Sequence, residues 1–472
     1  MLPSVEAPLP GRTFPSICDV CLEEVPGCVE RTGDEVFLVR DCPVHGARRF
    51  LISRNGVDFE RYDQFRAATL PAGVTPAAPS KSFFFITPSC NQGCTYCLNE
   101  ANQFTYFAPY DLDRFDADIG TLPGDAVSVV GGEPFAHPRF FEFAAAVRRH
   151  GKKLLVFTNG LALADERTVA RLVEVCAGRC QVFMTFEGLS PELYAHLVPA
   201  RVYERKCAAL ENLEKYGVPV GVHHTMPPHH QRSARADQTA ALRALMAYAM
   251  EHDCVRALAF QAVVAVGGAR HLAADEVVSV DRAMDEIVAA LPVRVDRREV
   301  YTLQKLFGLV SGVLRMPRCP HMQLVALFRL NGAWVGLDHL LDCAALDRRL
   351  DRRMRRLPLT RLRMIRALVM DVGASVRWRR LPALLRLAWQ AFPVFLRDLD
   401  IANIPKAILP IVATTVCDRF NYDHTLARHC DKRVHSTVRG AVIAELASAM
   451  SLRQLRERAA HDAVTTPRAT GI

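Results

Sequence analysis

The sequence predicts an α/β fold, with a small metal ribbon ahead of it and a mostly helical region behind it. Three observations carry this. Between residues 80 and 290, short apolar runs alternate with stretches of helical spacing, the order that builds a parallel sheet with right-handed crossovers. At residues 12–52, two cysteine knuckles flank a β-like run. From residue 300 to 440, arginine is interleaved with Leu, Trp and Phe at helical spacing, and residues 441–472 read as a terminal helix (Ala441 to Ala460) and a polar tail.

A chain of 472 residues, half of them hydrophobic, can bury a large core in two or three domains. Its fifteen cysteines do not read as a secreted disulfide scaffold, because residues 1–17 are Pro-rich and lack an apolar signal core. The thiols read instead as metal ligands in a reducing, cytoplasmic compartment. The net charge of +9 favours an anionic surface, substrate or membrane as partner.

In the ribbon, Cys18-Asp-Val-Cys21 is followed by Glu35–Arg40 and then Cys42-Pro-Val-His45. Three thiolates and one imidazole on two knuckles suit a tetrahedral site. Zinc is the default metal, and mononuclear iron fits the same donors. So small a ribbon has little core, and the metal would supply much of its folding free energy. Cys28 is a spare that could replace His45. A nucleic-acid finger is disfavoured, since no recognition helix lies in residues 12–52.

Ser82–Thr87 is a β-favouring run leading into Cys90-Asn-Gln-Gly-Cys94-Thr-Tyr96-Cys97. Three thiols at this spacing can hold three irons of a four-iron cubane. The local run supplies no fourth thiol, so one iron is left open for a small molecule. The plain alternative is three buried apolar cysteines in a loop. Ala126–Val130 reads as a second buried strand, ending in Gly131-Gly132-Glu133-Pro134. Glycines permit close backbone approach, and Glu133 at a strand end is a ready partner for an ammonium. An ordinary turn is the plain alternative.

The alternation continues with a helix over Phe140–His150 and a strand over Lys153–Phe157, which ends at Asn159. A helix over Arg167–Cys176 and a strand over Gln181–Phe186 follow, ending at Glu187. Next come a helix over Arg205–Tyr216, a strand over Val218–Met226, a helix over Arg243–His252 and a strand over Arg256–Gln261. Asn159, Glu187, Thr225 and Gln261 therefore fall at strand ends, where α/β folds place ligands; a cap or turn role is the alternative. His223 and His224 lie on opposite faces of one strand. Cys176, Cys180, Cys207 and Cys254 read as small buried residues, with an i, i+4 metal pair at Cys176 and Cys180 as the other reading.

Cys319 precedes a β-like segment over Leu324–Gly336, and Cys417 and Cys430 have histidines interleaved around them. This set could hold an auxiliary iron–sulfur cluster or a mononuclear metal; core cysteines with surface histidines are equally compatible. Between these, arginines from Arg348 to Arg366 and Arg377-Trp-Arg-Arg380 precede Leu381–Phe395. That pattern reads as interfacial amphipathic helices in peripheral contact with a membrane. A helical subdomain with a solvated basic face is the alternative, and nucleic acid is disfavoured by the apolar interleaving. Leu399–Val416 is apolar but holds Asp400, Asn403 and Lys406, so it is not read as a transmembrane helix.

The cysteine loop, Tyr96 beside its third thiol and the Gly131–Pro134 tetrapeptide together resemble the radical S-adenosylmethionine (SAM) superfamily. The resemblance implies a partial (β/α)6 barrel with ligands at the strand C-termini. It also implies a [4Fe-4S] cluster on Cys90, Cys94 and Cys97, oxygen sensitivity, and an electron donor such as flavodoxin or ferredoxin. SAM would be held by Tyr96, Gly131, Gly132, Glu133, Pro134, Asn159, Glu187 and Gln261, with Glu133 facing its amino group. The ribbon ahead of the core and the Cys417-Asp-Arg-Phe-Asn-Tyr-Asp423 run narrow the resemblance to the branch of tetraether lipid synthases and related pterin-linked radical methyltransferases. Here the Cys-rich segment near 319 shows one cysteine, and Cys430 is followed by His435 five residues on. The resemblance implies that a 5′-deoxyadenosyl radical functionalises an unactivated C–H bond of a lipid-like substrate, by C–C coupling or methylation. Radical methylation of a pterin or another small molecule is the second reading. An iron–sulfur electron carrier or a metal-ribbon binding module is the non-enzymatic one.

Overall fold

The computed structural model describes residues 13–69, 81–98, 110–122, 124–194, 198, 202–228, 235–314, 322–354, 360–396, 404–423, 432–436 and 440–443. The ribbon is a four-stranded antiparallel sheet in the order β1 (Thr13–Ile17), β2 (Glu24–Thr32), β3 (Glu35–Cys42) and β4 (Gly46–Ser53). Strand periodicity places Val36, Leu38, Arg40 and Cys42 on one buried face of β3. Val36 and Leu38 close a small core with Phe14 and Val29, and the same alternation delivers Cys42 to the metal end. Helix α1 (Gly56–Thr69) follows.

The central sheet begins with β5 (Lys81–Phe85), α2 (Leu112–Thr121), β6 (Ala126–Val130), α3 (Phe140–Arg149), β7 (Lys153–Thr158) and α4 (Glu166–Val175). It continues with β8 (Cys180–Thr185), α5 (Tyr203–Lys215), β9 (Val220–Met226), α6 (Arg235–Glu251) and β10 (Val255–Ala262). β5 to β10 pair in parallel in that order, as alternating strands and helices require. Val127, Val129, Val156, Val182, Val220 and Phe260 are fully buried in one continuous core, and each such side chain contributes about 1.5–3 kcal/mol. Asp111 and Asp165 cap α2 and α4 by accepting from the backbone N–H groups of Arg114 and Arg167.

Helices α7 (Val280–Ala290) and α8 (Arg297–Leu314) lead to β11 (Met322–Leu330) and β12 (Ala333–Val335). Then follow α9 (Cys343–Met354), α10 (Arg361–Arg366) with a π-helical continuation over Ala367–Val372, and α11 (Leu381–Leu396). β13 (Ile408–Thr414), β14 (Lys432–Ser436) and β15 (Gly440–Ile443) end the described chain. The full sheet runs β12-β11-β13-β10-β9-β8-β7-β6-β5-β14-β15.

Two expectations change here. The apolar run at 399–416 contributes β13, which pairs in parallel with β10, and β14 pairs in parallel with β5. The C-terminal region thus extends the sheet at both edges as well as supplying helices. Residues 441–443 lie in a strand rather than at the start of a helix. A second core, with Leu309, Leu340, Leu346, Leu350, Met364 and Leu387, holds α8, α9, α10 and α11 together. Among the described residues, no helix is long and apolar enough to cross a membrane.

Candidate active site and metal centre

The four ribbon residues converge as their spacing predicts. Cys18, Cys21, Cys42 and His45 place one ligand atom each within 4.8 Å of one another. Cys18 Sγ lies 3.6 Å and Cys42 Sγ 3.5 Å from His45 Nδ1, and the Cys21 and Cys42 sulfurs are 3.9 Å apart. A tetrahedron with bonds of about 2.1–2.3 Å has edges of about 3.4–3.8 Å, so this donor set fits zinc. Burial works against the Cys42 thiolate, but the N–H groups of His45 and Val44 bring its pKa down to about 6. Cys28 does not join the set; its thiol faces Glu30 at 3.9 Å.

The ribbon is clamped onto the sheet by polar contacts that sequence reading missed. Ser16 Oγ donates to Tyr422 O at 2.5 Å, and buried Arg40 donates to Arg419 O. Burial pulls the Arg40 guanidinium down to about 10, against the opposing charges of Asp418 and Asp19. Asp418 accepts from the N–H groups of Ala265 and Phe420 at 3.0 and 2.8 Å. On the other flank, Asp281 gathers Ser53 Oγ at 2.7 Å, Tyr301 Oη at 2.8 Å, Gln323 Nε2 at 2.9 Å and Arg297. These partners lie on three different elements, β4, α8 and β11, so no local spacing signals them.

The loop carrying Cys90, Cys94 and Cys97 leaves the C-terminal end of β5 and is held by backbone from two sides. Gly132 N–H donates to Thr87 O and Glu133 N–H to Ser89 O, both at 2.7 Å. A Cβ on Gly131 would meet Thr87 O at 2.5 Å, and one on Gly132 would collide with the Pro88 and Ser89 oxygens. The close approach expected of these glycines is thus made to the protein's own loop. On the far side, Gly268 N–H donates to Cys97 O at 2.9 Å, and Gly267, at φ +60°, lies against the same carbonyl. In the sequence, the only sign of this second buttress is a glycine pair, Gly267-Gly268, soon after a strand end.

Asn159 joins the loop to the tetrapeptide. Its Nδ2 donates to Asn91 Oδ1 at 2.7 Å and lies 3.8 Å from Cys90 Sγ. Its backbone N–H donates to Glu133 Oε2 at 2.7 Å. Its Oδ1 also accepts from Leu161 N–H at 3.0 Å, so it caps a turn and contacts the cluster loop at once. Glu133 is fully buried and further accepts from Thr158 Oγ1 at 2.7 Å and Phe135 N–H at 3.1 Å. Burial raises its pKa, and the Asn159 and Thr158 hydrogen bonds oppose that rise.

Tyr96 reaches the ends of β8 and β9. Its hydroxyl donates to Glu187 Oε1 at 3.0 Å and also bonds Thr225. Glu187 Oε2 receives Lys206 Nζ at 2.8 Å, and both side chains are wholly buried. Burial, with the Glu187 charge beside it, holds the Tyr96 phenol well above its ordinary range. Burial pushes Cys94 up to about 12 and raises Cys90. A cluster would therefore have to displace protons from these thiols on binding. Three thiols with no fourth in the loop, cradled between two glycine pairs, fit a [4Fe-4S] cluster with one open iron.

The remaining candidates are dispersed. Gln261 is half-buried at the end of β10, in register with Thr225. His224 packs on Phe260, while His223 stands edge-on to the stacked pair Phe157 and Phe183. Cys417 is buried with Ile17 and Tyr422 under the ribbon. Its proposed partners Cys319 and Cys430 lie outside the described residues, as do His424 and His429, two of the histidines interleaved around them.

A three-cysteine loop at the mouth of a parallel β/α sheet, buttressed by a Gly-Gly-Glu-Pro turn, defines a radical SAM domain. Residues 84–239 match the family model of the radical SAM superfamily. The chain thus carries a radical SAM domain, and its N-terminal residues 12–54 match the HMPTM N-terminal zinc ribbon domain.

Among curated relatives, it is 22% identical over 276 residues to the 7,8-dihydro-6-hydroxymethylpterin dimethyltransferase of Methanocaldococcus jannaschii. That match covers 53% of each chain. It is 32% identical over 104 residues to the GTP 3′,8-cyclase of Klebsiella pneumoniae, covering 20% of this chain and 32% of the relative. The chain thus spans about half, or less, of the length of these relatives. Among solved structures, methylornithine synthase aligns at a TM-score of 0.36 and 13% identity, covering 54% of this chain and 76% of that one.

Proposed function

We propose that the chain reductively cleaves SAM at the Cys90–Cys97 loop and uses the resulting radical to functionalise an unactivated C–H bond. The observation that carries this is the joint placement of Cys90, Asn159 and Glu133, whose mutual contacts span 2.7–3.8 Å at the ends of β5, β6 and β7. A bound [4Fe-4S] cluster with SAM supplies the 5′-deoxyadenosyl radical and so the hard chemistry.

The protein's part is to hold and orient. Cys90, Cys94 and Cys97 are the ligands. Glu133 offers a carboxylate beside them for the SAM ammonium, and Asn159 fixes both the carboxylate and the loop. Tyr96, Glu187 and Lys206 lock the loop onto β8 and β9 and keep the site dry. Flavodoxin or ferredoxin is the proposed electron source, and the Cys18–His45 ribbon is proposed to carry zinc. Cys319, Cys417 and Cys430 are proposed as an auxiliary site.

Anaerobic reconstitution with SAM and a strong reductant should release 5′-deoxyadenosine, and a Cys94→Ala protein should release none. A protein that assembles its cluster yet never cleaves SAM would overturn the proposal. For the substrate, the reading from sequence is a lipid-like molecule, joined by C–C coupling or methylated. Similarity to a pterin dimethyltransferase, together with the matching ribbon, supports pterin methylation as the second reading. Mass spectrometry of products from lipid and dihydropterin incubations separates the two.

A further inference from the structure

Twelve large apolar side chains stand exposed among the described residues, and eight of them fall between 362 and 389. Their spacing is ordered. Leu362, Ile365 and Val369 recur at i, i+3 and i+7 along α10 and its π-helical continuation. Leu381, Leu385 and Trp389 recur at i, i+4 and i+8 along α11. Each set therefore forms one ridge on one helix face. The opposite faces are already occupied, since Met364, Ala367 and Leu387 are buried in the second core. A helix apolar on both sides has a partner on both sides, and among the described residues nothing covers the outer side. Trp378 and Trp389 are the most exposed of the set, at 78% and 80%.

The exposed charge along the segment from 361 to 389 has one sign. Arg361, Arg363, Arg366, Arg377, Arg379, Arg380 and Arg386 are all exposed. The lone acid between residues 360 and 390 is Asp371, which is buried. Arg377 is paired with Asp338 at 2.7 Å. Arginine flanking exposed Trp and Leu is the composition of a surface that sits at the lipid headgroup level, rings and aliphatic chains inward and guanidiniums outward.

We infer that residues 361–389 form a docking face for an anionic lipid bilayer. A second copy of the chain fits poorly, because a two-fold contact would press this arginine field against itself. Nucleic acid offers the right charge but nothing for the Leu, Ile and Val ridges to bury into. The inference goes beyond the activity proposed above and stands with either substrate reading, since it concerns where the enzyme works.

The test uses the intact, metal-loaded protein with phosphatidylcholine vesicles, with and without phosphatidylglycerol. Sedimentation with the phosphatidylglycerol vesicles is expected, falling as salt rises, with a blue shift of tryptophan emission that a Trp389→Phe protein shows reduced. Arg386→Gln should weaken binding about fivefold. Leu385→Glu combined with Trp389→Glu should abolish it while 5′-deoxyadenosine release is unchanged. If the double variant misfolds, the arginine variant and the salt series carry the test. Absence of binding to the anionic vesicles, or equal binding to neutral ones, overturns the inference. So does a wild-type dimer that the double variant converts to monomer.

Discussion

Tyr96 Oη donates to Glu187 Oε1 across 3.0 Å, tying the cysteine loop to the end of β8. The other oxygen of that carboxylate receives Lys206 at 2.8 Å, with both charges out of contact with water. One buried ion pair thus anchors the residue between the second and third thiols.

Glu187→Gln should cost about 3–5 kcal/mol, because it strands the Lys206 ammonium in the interior. Pairing Glu187→Leu with Lys206→Met should recover most of that loss, while removing the Tyr96 acceptor that Gln would keep. Equilibrium denaturation of the two proteins decides this; an unaffected single variant would show that the pair is not buried as described.

Gly132→Ala should loosen the cluster loop. The added methyl collides with the backbone oxygens of Pro88 and Ser89, which cannot rotate aside as a side chain would. A cost of about 1–3 kcal/mol is expected, with lower iron and sulfide content after reconstitution and unchanged metal in the ribbon. Full iron loading would contradict the described packing.

Cys42→Ser should empty the ribbon site, since Cys42 borders both Cys21 and His45. Metal analysis should show its loss, and a strong chelator should have the same effect on the wild type. Cys28→Ser should leave metal content unchanged, because that thiol faces Glu30. Without its metal the ribbon should unfold at a lower temperature and expose Phe50, which packs on Phe420 at 5.3 Å.

Asp281 gives a pH-dependent prediction. Burial opposes its ionisation, but Arg297 and the Gln323 and Ser53 hydrogen bonds outweigh burial and hold it below the ordinary 3.8. A carboxylate depressed on folding stabilises the fold above its unfolded pKa and loses that contribution as pH falls through the folded value. Asp281→Asn should therefore be destabilised by about 3 kcal/mol near neutral pH. The gap to wild type should close below pH 3.8. Urea titrations at pH 7 and pH 3 measure it; an equal gap at both would rule the ion pair out.

Much of the fold and site was readable where the signal is local. The ribbon ligands sit on two short knuckles, and β5 to β10 each show as a brief apolar run. The cysteine loop and Gly131–Pro134 needed only spacing. What escaped reading depends on partners far along the chain. Ile408–Thr414 looks like one more apolar stretch until β10 is beside it. Asp281 has its partners Arg297, Tyr301 and Gln323 at 16, 20 and 42 positions along the chain, beyond any local pattern. Glycines 131 and 132 announced a close approach, but only the structure names the Thr87–Ser89 backbone as what they approach.

The clamp between Ser16 and Tyr422 spans 406 positions of sequence. A ribosome delivers the ribbon some 400 residues ahead of its docking loop. The ribbon must then wait, undocked, while the whole sheet is synthesised. Early metal capture would keep that earlier-made segment from straying into wrong pairings during the wait. A chain released short of residue 423 would carry a finished ribbon with no seat for it.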